Sequence, residues 1–300
     1  MVDLIKAVVA KYAEGVTGKL GIYFKDLKNG CEYGYNDKEV FPAASVFKIF
    51  ILAELFRQIR EGKISLADRI ALIEDYKSEG SGVLKEFDLG ANLTVADYAL
   101  LMMIISDNTA TDLLIDLLGI ENIQENVVER LDLNNTKCDL NCSQLISLCY
   151  GLEEGDDIKE KIKQGPIWLN NTPAYTGNVE KNDETSPYEV GVVLEKVFRN
   201  KWMGEELDKE MIGILSKCQT NSRIPKYLPK YLEIAHKTGT MDRVANDAGI
   251  VFTEKGSYIL AVFYNGNTAQ DEEYRANEWN LVGEELIAQM SKEIYNIYTS

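Results

Sequence analysis

The sequence contains a single histidine, His236, and an odd number of cysteines with no Cys-x-x-Cys pair among them. A structural zinc site needs several histidine or cysteine ligands, and a disulfide framework needs an even set of cysteines, so neither is expected. One histidine also leaves little room for a Ser-His-Asp triad. The composition therefore predicts no metal and no cofactor.

Positive charge is also scarce. The chain carries 32 lysine and arginine residues against 48 aspartate and glutamate residues, a net charge of -16. Such a surface repels nucleic acid and anionic lipid, so neither is expected as a partner. An anionic small molecule would need a local cluster of positive charge that acts against the field of the whole molecule.

The start of the chain, Met1–Lys6, lacks a basic segment followed by a long apolar run. No signal peptide and no membrane span is predicted. The chain is then expected in the cytoplasm as a monomer. An extracytoplasmic protein whose leader has been removed is the alternative.

The hydrophobic pattern predicts strands near both ends of the chain and helices between them. Two strands, Leu20–Leu27 and Cys31–Tyr35, are joined by an Asn29-Gly30 turn. Further strands are predicted over residues 231–236, 248–253 and 258–264, and helices over 4–14, 45–60, 94–105, 109–118, 120–131, 187–198, 205–218 and 279–297. Residues 154–184 are interpreted as a long loop with at most one short helix.

This order predicts an α+β fold in which five strands from the two ends form one antiparallel sheet. The first and last helices cover the sheet, and the central helices form an inserted lobe. Residues 1–300 are then one domain, with an α/β lobe of about residues 1–44 and 223–300 and a helical lobe of about 45–222. The active site is expected in the cleft between the lobes.

Ser45-Val46-Phe47-Lys48 is the only Ser-x-x-Lys sequence in the chain. Three residues on a helix are close to one turn, so Ser45 and Lys48 are expected on one face. A serine hydroxyl becomes a good nucleophile when a neighbouring base takes its proton, and a buried lysine can act as that base. A serine at a helix N-terminus also has a backbone N–H available to an oxyanion. Alone, the motif is more simply interpreted as a capping serine and a solvated lysine.

Two further tripeptides can complete such a site. Ser106-Asp107-Asn108 lies between two predicted helices, where a serine can carry a proton and an asparagine can bind an amide. Lys237-Thr238-Gly239 lies at the end of a predicted strand, where Lys237 and Thr238 can bind a carboxylate. Gly239 would let a ligand approach the strand edge. Each tripeptide alone is common in a turn or at a strand end.

Together, and in this order, the three motifs resemble those of class A β-lactamases and penicillin-binding proteins. The resemblance covers most of the chain outside about residues 132–184. It extends to Gly80-Ser81-Gly82-Val83-Leu84, to residues 93–97 and 102–111, to Thr185-Ser186-Pro187, to Arg223-Ile224 and Leu228-Pro229, and to Asn246-Asp247-Ala248-Gly249.

The resemblance implies a role for each matching residue. Ser45 is the acylated nucleophile, Lys48 activates it, and Ser106 passes a proton to the leaving nitrogen. Asn108 binds the amide side chain of the substrate. Lys237 and Thr238 hold its carboxylate, and the backbone N–H groups of Ser45 and Thr240 form the oxyanion hole.

The sequence departs from this family where the family carries Glu-x-x-Leu-Asn, whose glutamate activates the hydrolytic water. The nearest match is Pro166-Ile167-Trp168-Leu169-Asn170, and its proline cannot act as a base. Glu180, Asp183 and Glu184 are the candidate substitutes. Arg243 and Arg275 are candidates for the arginine that often assists carboxylate binding, whereas His236 is interpreted as a strand residue.

We therefore expect a serine hydrolase that is acylated at Ser45 by β-lactams or related amides and esters, and that deacylates slowly. A D-alanyl-D-alanine peptidase, a penicillin-binding sensor or trap that stays acylated, and a broad esterase are the alternatives.

Overall fold

Two strands near the start of the chain and three near its end form one antiparallel sheet in the computed structural model, as predicted. The model describes residues 1–152, 156–157, 160, 180–266 and 276–300. Strands and helices are numbered in chain order. The sheet has the order β2-β1-β10-β9-β8, with β1 (Lys19–Asp26), β2 (Glu32–Tyr35), β8 (Ile234–Met241), β9 (Val244–Thr253) and β10 (Gly256–Asn265). The predicted α+β class is confirmed.

The chain divides into two units. We call Met1–Val46 with Thr185–Ser300 the sheet unit, and Phe47–Glu184 the helical unit. The predicted helical lobe continued to about residue 222. The boundary lies at Glu184 instead, because α7 (Pro187–Phe198) packs against β1, β9 and β10, and α8 (Glu205–Leu215) packs against β8.

One face of the sheet is covered by the first and last helices, α1 (Val2–Glu14) and α9 (Ala276–Thr299). Ile22 and Phe24 of β1 point to this side and share a buried core with Ile5 of α1 and Met290 of α9. Alternate strand residues point to opposite faces. Tyr23 accordingly faces α7, where its ring would lie 2.5 Å from a methyl group added at Gly191.

Strands β8 and β9 are longer than the sequence predicts. The Lys-Thr-Gly motif, expected at the end of a strand, lies inside β8, and the β8–β9 pairing continues to Met241↔Val244. The turn that joins these two strands has Arg243 at φ 60°, which closes a hairpin. Tyr231, the predicted first residue of β8, is exposed and precedes the strand.

The helical unit contains five helices among its described residues, together with two pairs of short strands. The helices are α2 (Lys48–Arg60), α3 (Val95–Ile104), α4 (Asn108–Leu118), α5 (Ile120–Ile123) and α6 (Cys142–Tyr150). The strand β4 (Arg69–Ala71) pairs with β5 (Asn92–Thr94), and β6 (Lys137–Cys138) pairs with β7 (Asp183–Thr185). One more short strand of the chain, β3 (Phe41–Pro42), precedes Ser45.

Two of the predicted helices differ in their local geometry. The helix predicted from Ser45 begins at Lys48, and Ser45 lies in the 3₁₀ turn Ala44–Phe47 that precedes it. The helix predicted over 120–131 continues after α5 as a π-turn and a 3₁₀ turn. The helix predicted from residue 94 begins with a capping box, since Thr94 and Asp97 each accept a backbone N–H of the other.

No helix in the described ranges is long and apolar enough to cross a membrane. Within those same ranges, no group of three or more histidine, cysteine and acidic side chains is arranged to hold a metal ion.

Helix α2 is buried over most of its surface, and it buries a charged pair as well as apolar side chains. The Glu54 carboxylate accepts hydrogen bonds from Arg57 Nε at 2.6 Å, from Arg57 Nη2 at 2.8 Å and from Gln58 Nε2 at 2.8 Å. A buried carboxylate with three such donors holds those donors in place. Its removal leaves buried groups unpaired.

We predict that Glu54→Ala lowers the free energy of unfolding by about 2–4 kcal/mol, because two Arg57 donors lose their acceptor and Gln58 keeps only the Leu118 carbonyl oxygen. Urea denaturation followed by circular dichroism measures this loss. Glu205→Ala is the control, since Glu205 forms an exposed pair with Lys209 and should change little. Equal losses in the two variants would contradict the assignment.

Candidate active site

The side chain of Lys48 is fully buried at the start of α2, and its Nζ lies within hydrogen-bond distance of three oxygen atoms. Its Nζ lies 2.8 Å from the Ser106 carbonyl oxygen, 3.1 Å from Ser106 Oγ and 2.8 Å from Asn108 Oδ1. Burial lowers the pKa of Lys48, although nearby Cys142, Asp112 and Asp107 act in the opposite direction. The three predicted residues Lys48, Ser106 and Asn108 are thus brought together.

The turn that presents Ser106 is held in an unusual backbone conformation. Ser106 has φ 59°, a left-handed value that is costly for a residue other than glycine. The next residue, Asp107, keeps the turn in place, because its buried carboxylate accepts backbone N–H groups from Val83 at 2.6 Å, Leu84 at 2.9 Å and Ala110 at 2.9 Å. Asp107 therefore caps α4 and ties the turn to the preceding loop.

Gly82 lies where that loop passes closest to Asp107. A methyl group at Gly82 would lie 2.3 Å from the Asp107 carboxylate, and Gly82 has φ +107°. Only glycine meets both conditions without strain. This geometry gives a structural reason for Gly82 in the Gly-Ser-Gly-Val-Leu segment. The sequence showed only that the segment resembles one in the family, and did not show its role.

The second group of predicted residues lies on β8 in the sheet unit. Lys237 and Thr238 are buried, and Lys237 Nζ donates to the Thr238 carbonyl oxygen at 2.7 Å. Thr240 is exposed and accepts a hydrogen bond from Arg223.

Arg223 is a residue whose contribution the sequence reasoning did not identify. Its guanidinium is fully buried, with Nη1 donating to the carbonyl oxygens of Gly239 and Asn246, both at 2.7 Å. Nη2 donates to Thr240 Oγ1 at 2.6 Å. In the sequence, Arg223-Ile224 is only one of the segments that resemble the family, and the neighbouring residues give no sign that the Arg223 side chain reaches β8.

The turn that carries Ser45 is fixed against the same strand. A methyl group at Gly239 would lie 2.8 Å from the Ala43 carbonyl oxygen, so the backbone of β8 passes directly beside this turn. Asn246 Nδ2 donates to the Pro42 carbonyl oxygen at 2.8 Å. Ser45 itself is half-buried, so its hydroxyl is held on a positioned turn and keeps some access to solvent.

The three candidate carboxylates near residue 180 differ in their surroundings. Glu180 is exposed. Asp183 is buried, and its Oδ1 accepts the backbone N–H groups of Asp139 at 3.0 Å and Leu140 at 3.1 Å. Burial raises the pKa of Asp183 well above its usual range. Glu184 accepts a hydrogen bond from Asn182 at 2.9 Å and lies 3.7 Å from Lys137.

The remaining predicted residues fall elsewhere. Arg243 is buried in the β8–β9 turn, and its charge acts on Tyr264, which belongs to the core below α1 and α9. Arg275 and the segment 166–170 lie outside the described residues. His236 is a buried β8 residue, as interpreted from the sequence.

A buried lysine three residues after a serine, with a Ser-Asp-Asn turn beside it and a Lys-Thr-Gly strand in an α+β fold, defines a serine hydrolase of the β-lactamase type. The chain belongs to the beta-lactamase enzyme family, whose family model matches residues 2–298.

Individual relatives are distant but cover most of the chain. A β-lactamase named BRO-1 from Moraxella catarrhalis is 21% identical over 272 residues, 89% of this chain and 76% of the relative. The crystal structure of a β-lactamase from Sphaerobacter thermophilus superposes with a TM-score of 0.79 at 24% identity, covering 100% of this chain and 98% of that one. The structure of a PBP-A mutant in an acyl-enzyme complex with penicillin G has a TM-score of 0.78 at 24% identity, covering 100% and 97%.

We predict that Gly82→Ala destabilises the protein by roughly 3 kcal/mol, because the new methyl group meets both an unfavourable φ and the Asp107 carboxylate. Gly62→Ala is the matched control. Gly62 also has a positive φ, of +73°, but a methyl group there meets no atom within 4 Å. The control should lose about 1 kcal/mol in the same urea titration. A loss in Gly82→Ala no larger than in the control would show that the Asp107 contact does not constrain this loop.

Proposed function

We propose that this protein is a serine hydrolase that β-lactams or related amides and esters acylate at Ser45, and that its acyl-enzyme is hydrolysed slowly. The observation that carries the proposal is the environment of Lys48, a fully buried amine that contacts Ser106 and Asn108. Burial favours the neutral form of an amine, and a neutral amine can accept a proton. Lysines without such a role usually lie at the surface, where water solvates their charge.

The proposed acylation moves one proton around the site. Lys48, in its neutral form, takes the proton of the Ser45 hydroxyl while the oxygen bonds to the carbonyl carbon of the substrate. The carbon–nitrogen bond then breaks. Ser106 gives its proton to the leaving nitrogen and regains one from Lys48, which lies 3.1 Å from Ser106 Oγ. Lys48 ends neutral, and the acyl group remains on Ser45.

Substrate binding is proposed at the exposed end of β8. Lys237 places a positive charge on this strand of an otherwise acidic molecule, and Arg223, which is paired with Glu284 at 3.1 Å, also donates to Thr240. Focused local charge can bind a carboxylate against an unfavourable net charge. The close approach of Gly239 to the Ser45 turn supports an oxyanion site formed by the backbone N–H groups of Ser45 and Thr240. Asn108 is proposed to bind the amide side chain of the substrate.

Slow deacylation is proposed because the best-matched position for the hydrolytic base is Pro166. Among the candidate substitutes, Asp183 and Glu184 are engaged with backbone and side-chain groups of their own surroundings. Burial also raises the pKa of Asp183, and a higher pKa works against a general-base role because the protonated acid cannot accept a proton from water. Glu180 is exposed and is the candidate with the most freedom to act.

A second candidate is a penicillin-binding protein, either a peptidase whose acyl-enzyme is formed from a peptide stem, or a trap that stays acylated. The contacts of Asp183 and Glu184 favour this candidate, because they leave neither carboxylate assigned to the hydrolytic water. The two candidates share acylation at Ser45 and differ in the fate of the acyl-enzyme.

We predict that benzylpenicillin adds one drug mass to the protein, and that peptide mapping places it on Ser45. Intact-mass spectra recorded over time should show fast acylation and an adduct that persists, since loss of general-base assistance slows hydrolysis by about 10²–10⁴-fold. Ser45→Ala should remain unmodified, while Ser65→Ala, at an exposed serine, should react like the parent. An adduct on Ser45→Ala would exclude this nucleophile.

The same time course distinguishes the deacylation alternatives. Steady turnover that is abolished by Glu180→Gln, Asp183→Asn or Glu184→Gln would identify a substitute base and contradict slow deacylation. Release of D-alanine from an acyl-D-Ala-D-Ala peptide would instead favour the peptidase.

We predict that Lys237→Ala slows acylation by a carboxylate-bearing β-lactam about 10–100-fold more than acylation by a neutral ester, the loss expected for a hydrogen bond to a charged group. Stopped-flow absorbance with both substrates measures the ratio. Lys226→Ala is the control, because Lys226 is an exposed lysine of the sheet unit paired with Glu285. If both substrates slowed equally, Lys237 would not be the carboxylate contact.

A further inference from the structure

A second cluster of reactive side chains lies in the sheet unit, on residues to which the proposed function gives no role. His236 of β8 and Asp247 of β9 are buried side by side, with His236 Nδ1 2.9 Å from Asp247 Oδ1. Asp247 is fixed in turn, because its Oδ2 accepts the Ile224 backbone N–H at 3.0 Å. The imidazole is thus held in one orientation by a carboxylate that cannot easily move away.

The other side of this imidazole involves a thiol. His236 Nε2 is buried and has no hydrogen-bond partner of ordinary geometry among the described residues. The thiol of Cys218, which lies just after α8, is close enough to act electrostatically on the same ring, and each group shifts the pKa of the other. Cys218, His236 and Asp247 therefore form a cysteine–histidine–aspartate series in which the histidine is oriented by the acid.

Electrostatic interactions within this series shift the pKa values of His236 and Cys218 towards their charged forms. Burial acts to lower the pKa of His236, but Asp247 and Cys218 outweigh it and raise the pKa to about 10. Burial likewise acts to raise the pKa of the Cys218 thiol, but His236 and the Lys237 charge outweigh it and lower the pKa. Thiols beside an imidazolium and a second cation are the reactive ones in proteins. Cys138 and Cys142 provide the contrast, since burial raises their pKa values well above the usual range.

Cys218 also lines a cavity, which gives small molecules a route to it. The cavity has a volume of about 420 Å³ and is lined by Cys218 with Asn221, Pro225, Lys230 and Ile234 among other residues. Its lining residues all belong to the sheet unit between Ser216 and Ile234. Cys218 is thus a thiol with a lowered pKa that also lines a cavity, so it combines reactivity with access.

We propose that Cys218 is a covalent modification site for small soft electrophiles, with His236 holding the thiol proton and Asp247 acting as the positioning residue for His236. In the reaction with iodoacetamide, the sulfur anion forms a bond to the carbon that carries iodine. The carbon–iodine bond breaks, iodide leaves, and the proton from the thiol remains on His236. The site requires no role for Ser45 and stands independently of the acylation chemistry.

The test is alkylation of the native chain by iodoacetamide, with each cysteine quantified by peptide mass spectrometry over time. Between about pH 6 and pH 9, Cys218 should keep its reactivity to a lower pH than N-acetylcysteine does. Its alkylation near pH 7 should also exceed that of buried Cys138 and Cys142. Cys218→Ser should lose this label and keep the label on exposed Cys31.

The His236→Gln variant tests the activating group. Loss of the imidazolium should slow Cys218 alkylation near pH 7 by about 10-fold, which corresponds to one pKa unit, and should move its pH profile towards that of N-acetylcysteine. Asp247→Asn should move the profile in the same direction by a smaller amount. If either variant loosens the fold, labelling of Cys138 and Cys142 will increase, and the wild-type pH profile then decides. A Cys218 that stays unlabelled in the wild type, or that titrates at or above the pH of N-acetylcysteine, overturns the proposal.

Discussion

The burial of one lysine amine constrains much of the helical unit. An amine out of contact with water needs polar partners, and Lys48 Nζ has three oxygen atoms within hydrogen-bond distance, all from one turn: the Ser106 carbonyl, the Ser106 hydroxyl and the Asn108 amide. Two of these three oxygen atoms belong to Ser106, and they can lie beside the amine only while Ser106 keeps its left-handed backbone. Asp107 holds that backbone, and the absence of a side chain at Gly82 makes room for Asp107. Four separate features of the sequence thus serve one buried nitrogen.

The sheet unit also contains a buried cationic side chain, Arg223, whose Nη1 and Nη2 groups donate to oxygen acceptors. Arg223 donates to backbone oxygens on both β8 and β9, to Thr240 and to Glu284, so a single guanidinium joins two strands and is itself paired with a carboxylate. A buried guanidinium bound to several acceptors positions its surroundings as strongly as it charges them. The serine-bearing turn is held by Asn246 in the same way, through backbone carbonyl groups. The position of Ser45 is therefore set by residues far away in the sequence.

Much of this could be predicted from the sequence, for reasons that differ between the two units. The β1–β2 hairpin, the Thr94 capping box and the order of the three motifs depend on neighbouring residues, and local patterns report on neighbours. The extent of β8 and the part played by Arg223 depend on contacts between distant segments. Residues 237–241 continue as a strand because β9 pairs with them, and no local signal encodes that pairing. The site roles that rest on the family resemblance stay predictions.

The pairing of β1 with β10 has a consequence for how the chain is made. The register joins Lys19 to Asn265 and Asp26 to Tyr258, so the central pair of the sheet combines its first strand to be synthesised with its last. Pairing between such distant segments is slow, because the entropy of closing the loop is lost before any contact forms. During translation β1 has no partner from β10 until residue 265 has left the ribosome, whereas Phe47–Glu184 is a continuous stretch that is complete much earlier. The apolar residues of β1, such as Ile22 and Phe24, are therefore without their native cover for most of synthesis, and this is the period in which the nascent chain is most exposed to aggregation and most dependent on chaperones.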